Sequence, residues 1–306
     1  MRVFVAGATG AIGIRLVPQL LERGHEVIGS ARSAEKAERL QALGAQPVVL
    51  DLLDREAVRG AVVAARPEAI IHQATALAGL TDFKNFDRSF AQTNRLRTEG
   101  TDALIAAARE AGVGRFVAQS YAGWPYAREG GPIKTEEDPL DPTPVATMRE
   151  TLAAIRQLER AVVDAGGVAL RYGSFYGSPD DAQLELVRKR RFPIVGDGGG
   201  IWSFVHLEDA AAAAVRALEQ GAAGIYNVVD DEPAPVREWL PALAAALGAK
   251  PPRHVPRWLA RLLAGESGVV LMTEIRGASN EKAKRELDWT LRYPSWRQGF
   301  IDAYGS

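Results

Sequence analysis

The sequence predicts an α/β protein built on a doubly wound parallel sheet, and three observations carry that prediction. Short apolar runs alternate with amphipathic helical patterns through most of the chain, as strand–helix–strand crossovers require. The first run ends in a loop with glycines at 7, 10 and 13, and a helical pattern follows at once. Further on, the pattern loosens into short helices punctuated by Pro251, Pro252 and Pro256, which reads as a small, mostly helical C-terminal lobe.

Residues 3–6 form a continuous apolar run, as a strand buried on both faces requires. Leu16, Val17, Leu20 and Leu21 then fall on one helix face. The second strand is expected at 25–29, and Ala34, Ala37, Leu40 and Leu43 mark the second helix. Further strands are expected at 48–50, 69–72, 116–119 and 168–171, with helices over 56–65, 94–111 and 148–164. A glycine loop at 196–200 precedes an alanine-rich helix at 209–218. The expected layout is a sheet domain from 1–173 and 202–229, with a lobe from 174–201 and 230–306.

Composition narrows the function. The chain of 306 residues is 47% hydrophobic and 25% charged, with a net charge of −1, ordinary values for a globular protein. Arg188-Lys189-Arg190-Arg191 is the one basic cluster and reads as a solvated helix face, so nucleic acid is not an expected partner. The absence of cysteine excludes disulfides and thiolate chemistry, and four scattered histidines offer no metal-ligand spacing. The N-terminus does not read as a signal peptide, and no run of eighteen apolar residues exists. A cytoplasmic monomer or homodimer acting on a small molecule is the expectation.

Glycines in Gly-x-x-Gly-x-x-Gly spacing between a strand and a helix suit a dinucleotide. One allows the tight turn, one lets backbone approach the pyrophosphate, and one lets helix pack on strand. The helix N-terminus then aims N–H groups at the phosphates. Gly7, Thr9, Gly10, Ala11, Ile12 and Gly13 are therefore candidate cofactor residues in a Rossmann-type sheet. An NAD site usually places an acid at the end of the second strand. This chain has Ser30-Ala31-Arg32-Ser33, with Lys36 a turn later and no acid before Glu35. A guanidinium matches a 2′-phosphate in fork geometry, so Ser30 and Arg32 point to NADP(H), with NAD as the alternative. Asp51, next to Leu52, is a candidate acceptor for the adenine amine.

With these motifs the chain resembles the extended short-chain dehydrogenase/reductase family, which includes nucleotide-sugar epimerases and dehydratases. The resemblance rests on GATGAIG, on the strand AIIHQAT, on Asn94 before Gly100-Thr101, on LRYGSFYG from Leu170, on GDGGGIWSFVHLEDAA from Gly196, and on RGASNEKAKRELDW near the C-terminus. It implies that Gln73, Ala74, Thr75, Asn94 and Tyr172 join the cofactor set. It also implies a Ser or Thr that bonds the substrate oxygen, a Tyr that moves its proton, and a Lys that lowers the Tyr pKa.

Here the chain departs from the pattern. It has seven tyrosines, and none is followed four residues later by lysine. If Glu159 matches the family's glutamate, the Tyr and Lys positions fall on Thr151 and Ile155. If Pro144 matches the family's proline, they fall on Val145 and Arg149. The first register is preferred. In Ser120-Tyr121-Ala122-Gly123-Trp124-Pro125-Tyr126, matching Trp124 to the family's valine puts Tyr121 at the oxygen-bonding position, with Ser120 one before. Tyr121 and Ser120 are the candidate catalytic residues, with a substrate contact or plain packing as the other readings of Tyr121. With no lysine or arginine beside it in sequence, Tyr121 is expected near the ordinary phenol pKa of about 10. Trp124, Tyr126 and Trp202 are candidate aromatic pocket walls, and Arg149 and Thr151 candidate substrate contacts. His206 and Asp209 fall in a motif that looks structural in this family.

The functional expectation is an NADP(H)-dependent oxidoreductase, a reductase of ketones on small aromatic or polycyclic molecules with a non-standard proton donor. An epimerase or dehydratase using bound NAD is the first alternative, and a non-catalytic NADP(H)-binding sensor the second.

Overall fold

Val3 and Val5 point into one helical layer, Phe4 and Ala6 into the other, and all four side chains are buried. That double burial is why the run is apolar without alternation. The computed structural model describes residues 1–77, 79, 82–178 and 182–305. It joins β1 (Arg2–Ala6), β2 (Glu26–Ala31), β3 (Gln46–Val49), β4 (Ala69–His72), β5 (Arg115–Tyr121), β6 (Val168–Tyr172) and β7 (Gly224–Val228) in one sheet. Their order is β7-β6-β5-β4-β1-β2-β3, and every neighbouring pair is parallel. The chain therefore winds outward from β1 to one side, then returns to continue on the other.

One layer is formed by α1 (Gly13–Glu22), α2 (Ala34–Ala42) and the helix Leu207–Gln220, through Leu16, Leu20, Leu40 and a row of alanines from Ala210 to Ala217. The other is formed by α3 (Arg55–Ala65), α5 (Thr101–Ala111) and α6 (Arg149–Asp164), through Val58, Val62, Leu104, Leu158 and Val162. Between α3 and α5 lies α4 (Phe86–Arg95). A third cluster, rich in aromatics, joins α4 and the start of α6 to Trp202, Trp239, Trp296 and Phe300 from the later segments.

Two departures from the sequence reading matter. β7 is a strand beyond the six that the sequence predicts; it occupies Gly224–Val228 within the short segment 221–229 between the alanine-rich helix and two acids. The helix expected over 94–111 starts earlier, at Phe86, and is broken by a π-helical turn at Leu96–Gly100. One extra residue in a helical turn rotates all later side chains about the axis, and such turns recur at functional sites.

A buried ion pair fixes the carboxyl ends of three strands. Arg171 of β6 donates from Nε and Nη2 to the two oxygens of Glu159 of α6, both at 2.7 Å. Its Nη1 donates to the Tyr126 hydroxyl at 3.0 Å, which donates to Asn227 Oδ1 of β7 at 2.6 Å. The Ser120 hydroxyl of β5 donates to Glu159 Oε1 at 2.6 Å. Burial works against the Arg171 charge, but the bonds and charge of Glu159 more than offset it, holding the guanidinium above its ordinary pKa. Removing one partner of such a pair strands the other. Glu159→Ala is therefore expected to cost about 3–5 kcal/mol, read as a fall in the denaturant midpoint. A cost below about 1 kcal/mol would mean that water reaches Arg171.

Candidate active site

The strand order reverses between β1 and β4, and in open α/β sheets the loops diverging at such a point leave a ligand crevice. A cavity of about 550 Å³ opens there. Every strand from β1 to β6 sends the residues at its carboxyl end into it: Gly7, Arg32, Asp51, Ala74, Tyr121 and Ser174 are examples.

One end is built for a nucleotide. Gly7 has φ +85°, and a Cβ there would meet the backbone nitrogen of Ala74 at 2.6 Å. Gly10 faces space that a side chain would narrow, its nearest neighbour being the Gly7 carbonyl at 3.3 Å. Thr9, Ala11 and Ile12 line the same wall. α1 begins without a side-chain cap and without an acid in its first turn, leaving its terminal N–H groups available to a phosphate. Arg32 is exposed at the rim with Lys36, and no hydrogen bond or ion pair is formed by Arg32 among the described residues. The Ser30 hydroxyl accepts the Gly7 N–H at 2.9 Å, fixing the loop. Asp51 and Leu52 line the wall beyond, and Asp51 Oδ1 accepts the Leu53 N–H. Gln73, Ala74 and Thr75 follow β4, and Gln73 Oε1 is buried without a partner. An uncapped helix end, an open glycine, an uncommitted arginine and an unpaired amide oxygen fit a dinucleotide.

The other end is aromatic. Phe86 and Phe90 of α4 stack at 4.4 Å, and Trp124 meets Phe86 edge-on at 5.1 Å. Trp202 also lines this end; its Nε1 donates to the Leu271 carbonyl. Tyr121 ends β5 in the same wall, its hydroxyl 3.0 Å from Ser174 Oγ. Burial raises the Tyr121 pKa, against the Ser174 hydrogen bond and the charge of Arg97, which lower it. The phenol thus stays protonated at neutral pH. A cation does act on it, contrary to the sequence expectation.

Seven of the predicted site residues lie outside the cavity for physical reasons. Gly13 is packed on the turn, where a Cβ would meet the Ala8 carbonyl oxygen at 2.4 Å. Ser120 and Tyr126 are consumed by the Arg171–Glu159 network. Tyr172 lies beneath the cavity, receiving the Gln73 amide N–H and donating to the Ala210 carbonyl. Thr151 and Asn94 bond one another at 3.0 Å, and Thr151 also donates its hydroxyl and N–H to Asp87 Oδ1. Arg149, the first residue of α6, is exposed. Ile155, named by the preferred register, is fully buried in the core. No described residue of α6 lines the cavity in either register. His206 accepts the Glu208 N–H as the cap of the helix Leu207–Gln220, and Asp209 accepts two N–H groups at Arg292 and Tyr293. Both hold structure.

Sequence reasoning missed the α4 wall and Arg97. Phe83, Phe86 and Phe90 carry a legible signal, the spacing of one helix face. Arg97 carries none, since its placement depends on the π-helical turn.

Comparison with known proteins places this geometry. The NAD dependent epimerase/dehydratase family model matches residues 3–229. The chain is 46% identical, over 98% of its length and 99% of the relative's, to a 3-diazoavenalumate denitrifying reductase from Streptomyces sp. It is 30% identical, over 95% of its length and 92% of the relative's, to a 4-hydroxy-2-methyl-3-oxo-4-farnesyl-3,4-dihydroquinoline-1-oxide ketoreductase from Stigmatella aurantiaca. Among solved structures, the UDP-glucose 4-epimerase of Thermus thermophilus in complex with NAD superposes with a TM-score of 0.76. It is 25% identical, with 99% of this chain and 98% of that one covered. The chain belongs to the NAD dependent epimerase/dehydratase family, and is an NAD(P)-dependent enzyme of the oxidoreductase/epimerase type.

Because Ser120 and Thr151 sit outside the cavity, neither is expected to carry proton chemistry. Ser120→Ala and Thr151→Ala should each keep more than about a tenth of wild-type turnover, since losing a general acid costs about 10²-fold or more. A collapse below that in steady-state assays, with cofactor affinity intact, would give the residue a direct role.

Proposed function

We propose that this chain is an NADP(H)-dependent reductase of small aromatic molecules, with a ketone as the group reduced. The observation that carries the reading is one continuous cavity, with a guanidinium unpaired among the described residues at its nucleotide end and a half-buried phenol among aromatic side chains at the other. Bound NADPH would supply the hydride. The α1 N-terminus and Gly10 would hold the pyrophosphate, Arg32 with Lys36 the 2′-phosphate, and Gln73 an N–H or hydroxyl near the nicotinamide. Phe86, Phe90 and Trp124 would stack the substrate and exclude water. Tyr121 would donate a proton to the oxygen that receives charge, with Ser174 orienting its hydroxyl. The relatives named as reductases support this class of reaction.

A second reading is favoured by the relative at 46% identity, whose name specifies loss of nitrogen from a diazo compound. Hydride delivered to an aryl diazonium forms a C–H bond while the C–N electron pair leaves with N₂. No proton is consumed, so a site without a Tyr-Lys pair would suffice.

Two measurements test these readings. Arg32→Ala should remove most of the preference for NADPH over NADH in fluorescence titration, a loss of about 1.5–3 kcal/mol for one charge-assisted contact. Equal affinity of the wild type for both would refute the cofactor assignment. Tyr121→Phe should cut ketone turnover by about 10²-fold or more while leaving NADPH affinity within a few-fold. The same variant should leave reductive loss of a diazo group near the wild-type rate, so the pair of substrates separates the two readings.

A further inference from the structure

Among the described residues, Arg97 is a buried cation without a counter-ion. The residue is 4% exposed, and its Nε and Nη1 are buried without hydrogen-bond partners. It lines the aromatic end of the cavity, where its charge acts on Tyr121. Burial lowers its pKa to about 10, so it remains charged at neutral pH. Glu159, the carboxylate whose charge reaches it, is already occupied by Arg171 and Ser120. His72 offers no counter-charge. Burial holds its pKa at about 4, its Nε2–H donates to the Leu96 carbonyl, and its Nδ1 accepts the Ala74 N–H. Asp51, the sole carboxylate among the described lining residues, stands at the nucleotide end. A buried, unpaired guanidinium is costly, and such a group is retained where something pairs with it in the working state.

We infer that Arg97 anchors a carboxylate on the substrate, which restricts the substrate class to flat aromatic or conjugated acids. A carboxylate accepts two parallel N–H bonds from a guanidinium, and Arg97 lines the cavity with its Nε and Nη1 unpaired. The cofactor phosphates have other places, at the α1 N-terminus and at Arg32. The Tyr121 phenol does not serve as the anion, because it is held protonated and bonded to Ser174. The aromatic rings of Phe86, Phe90 and Trp124 then take the body of the acid. The inference rests on the reductase reading only for which end of the cavity receives substrate.

Binding tests it without turnover. Trp124 and Trp202 line the cavity, so their fluorescence reports occupancy. Cinnamate and methyl cinnamate are titrated into NADP⁺-loaded protein. The wild type should bind cinnamate at least tenfold tighter than the ester. Arg97→Met, which has no buried charge to satisfy, should abolish that difference, and Arg97→Lys should restore part of it. Equal affinities in the wild type, or no binding of either compound at millimolar concentration, overturn the inference. So does an Arg97→Met variant that loses NADP⁺ affinity instead, which would assign the guanidinium to a cofactor phosphate. Cinnamate held through Arg97 by a protein that reduces neither ketones nor diazo compounds would sink the reductase reading and leave the carboxylate anchor standing.

Discussion

The carboxylate of Asp87 lies across the first turn of α6, taking the N–H groups of Glu150 and Thr151 and the Thr151 hydroxyl. Those N–H groups have no partner within their own helix, and a carboxylate at a helix N-terminus meets both unpaired donors and the positive end of the dipole. The bond clamps α4 onto α6, with two consequences. The face of α6 carrying Thr151 and Ile155 is sealed from the cavity, so the preferred register cannot present a reacting group. The adjoining face of α4 turns inward, bringing Phe86 and Phe90 to the wall. The aromatic chamber and the missing phenol on α6 are one arrangement seen from two sides.

The charges are distributed with similar economy. Cationic groups stand at both ends of the cavity, Arg32 with Lys36 at one and Arg97 at the other, with apolar surface between. Beneath it, Arg171 and Glu159 neutralise one another and hold the ends of β5, β6 and β7 in register. A buried pair is a poor source of stability against an apolar replacement. Here it specifies geometry, since Ser120 and Tyr126 are drawn into it while the intervening residues turn Tyr121 and Trp124 toward the cavity.

The sheet was legible in the sequence because burial on both faces leaves continuous apolar runs, and the glycine loop because close backbone approach forbids a side chain at Gly7 and Gly13. Arg32 was legible as a residue of the cavity rim, because the end of the second strand faces the ligand crevice in such folds. At the aromatic end only Tyr121, Trp124 and Trp202 were legible. Ser120 and Tyr126 look reactive in one dimension, yet their hydroxyls are bonded in the core by Glu159 and Asn227, residues more than thirty positions away. Arg97 lies in a charged, helix-like stretch where an arginine reads as solvated; the π-helical turn and the neutral His72 beneath it put it inside. Local pattern encodes local structure, and these placements depend on tertiary bonds.

On the proposed reading, the chemistry that suits this chamber is set by the effect of burial on its two ionisable groups. Desolvation raises the phenol of Tyr121 and lowers the proton affinity of Arg97, each change disfavouring charge. A phenol so placed gives a proton to a forming alkoxide but is a poor base for taking one from an alcohol. An epimerase must run that proton traffic in both directions at one carbon, and a raised phenol without a paired lysine opposes half of the cycle. A reductase needs only the forward half, and a hydride transfer that expels a neutral leaving group needs no proton at all. The site thus favours one-way hydride delivery over reversible exchange, and the buried guanidinium of Arg97 leaves a place for the charge that an acidic substrate would bring.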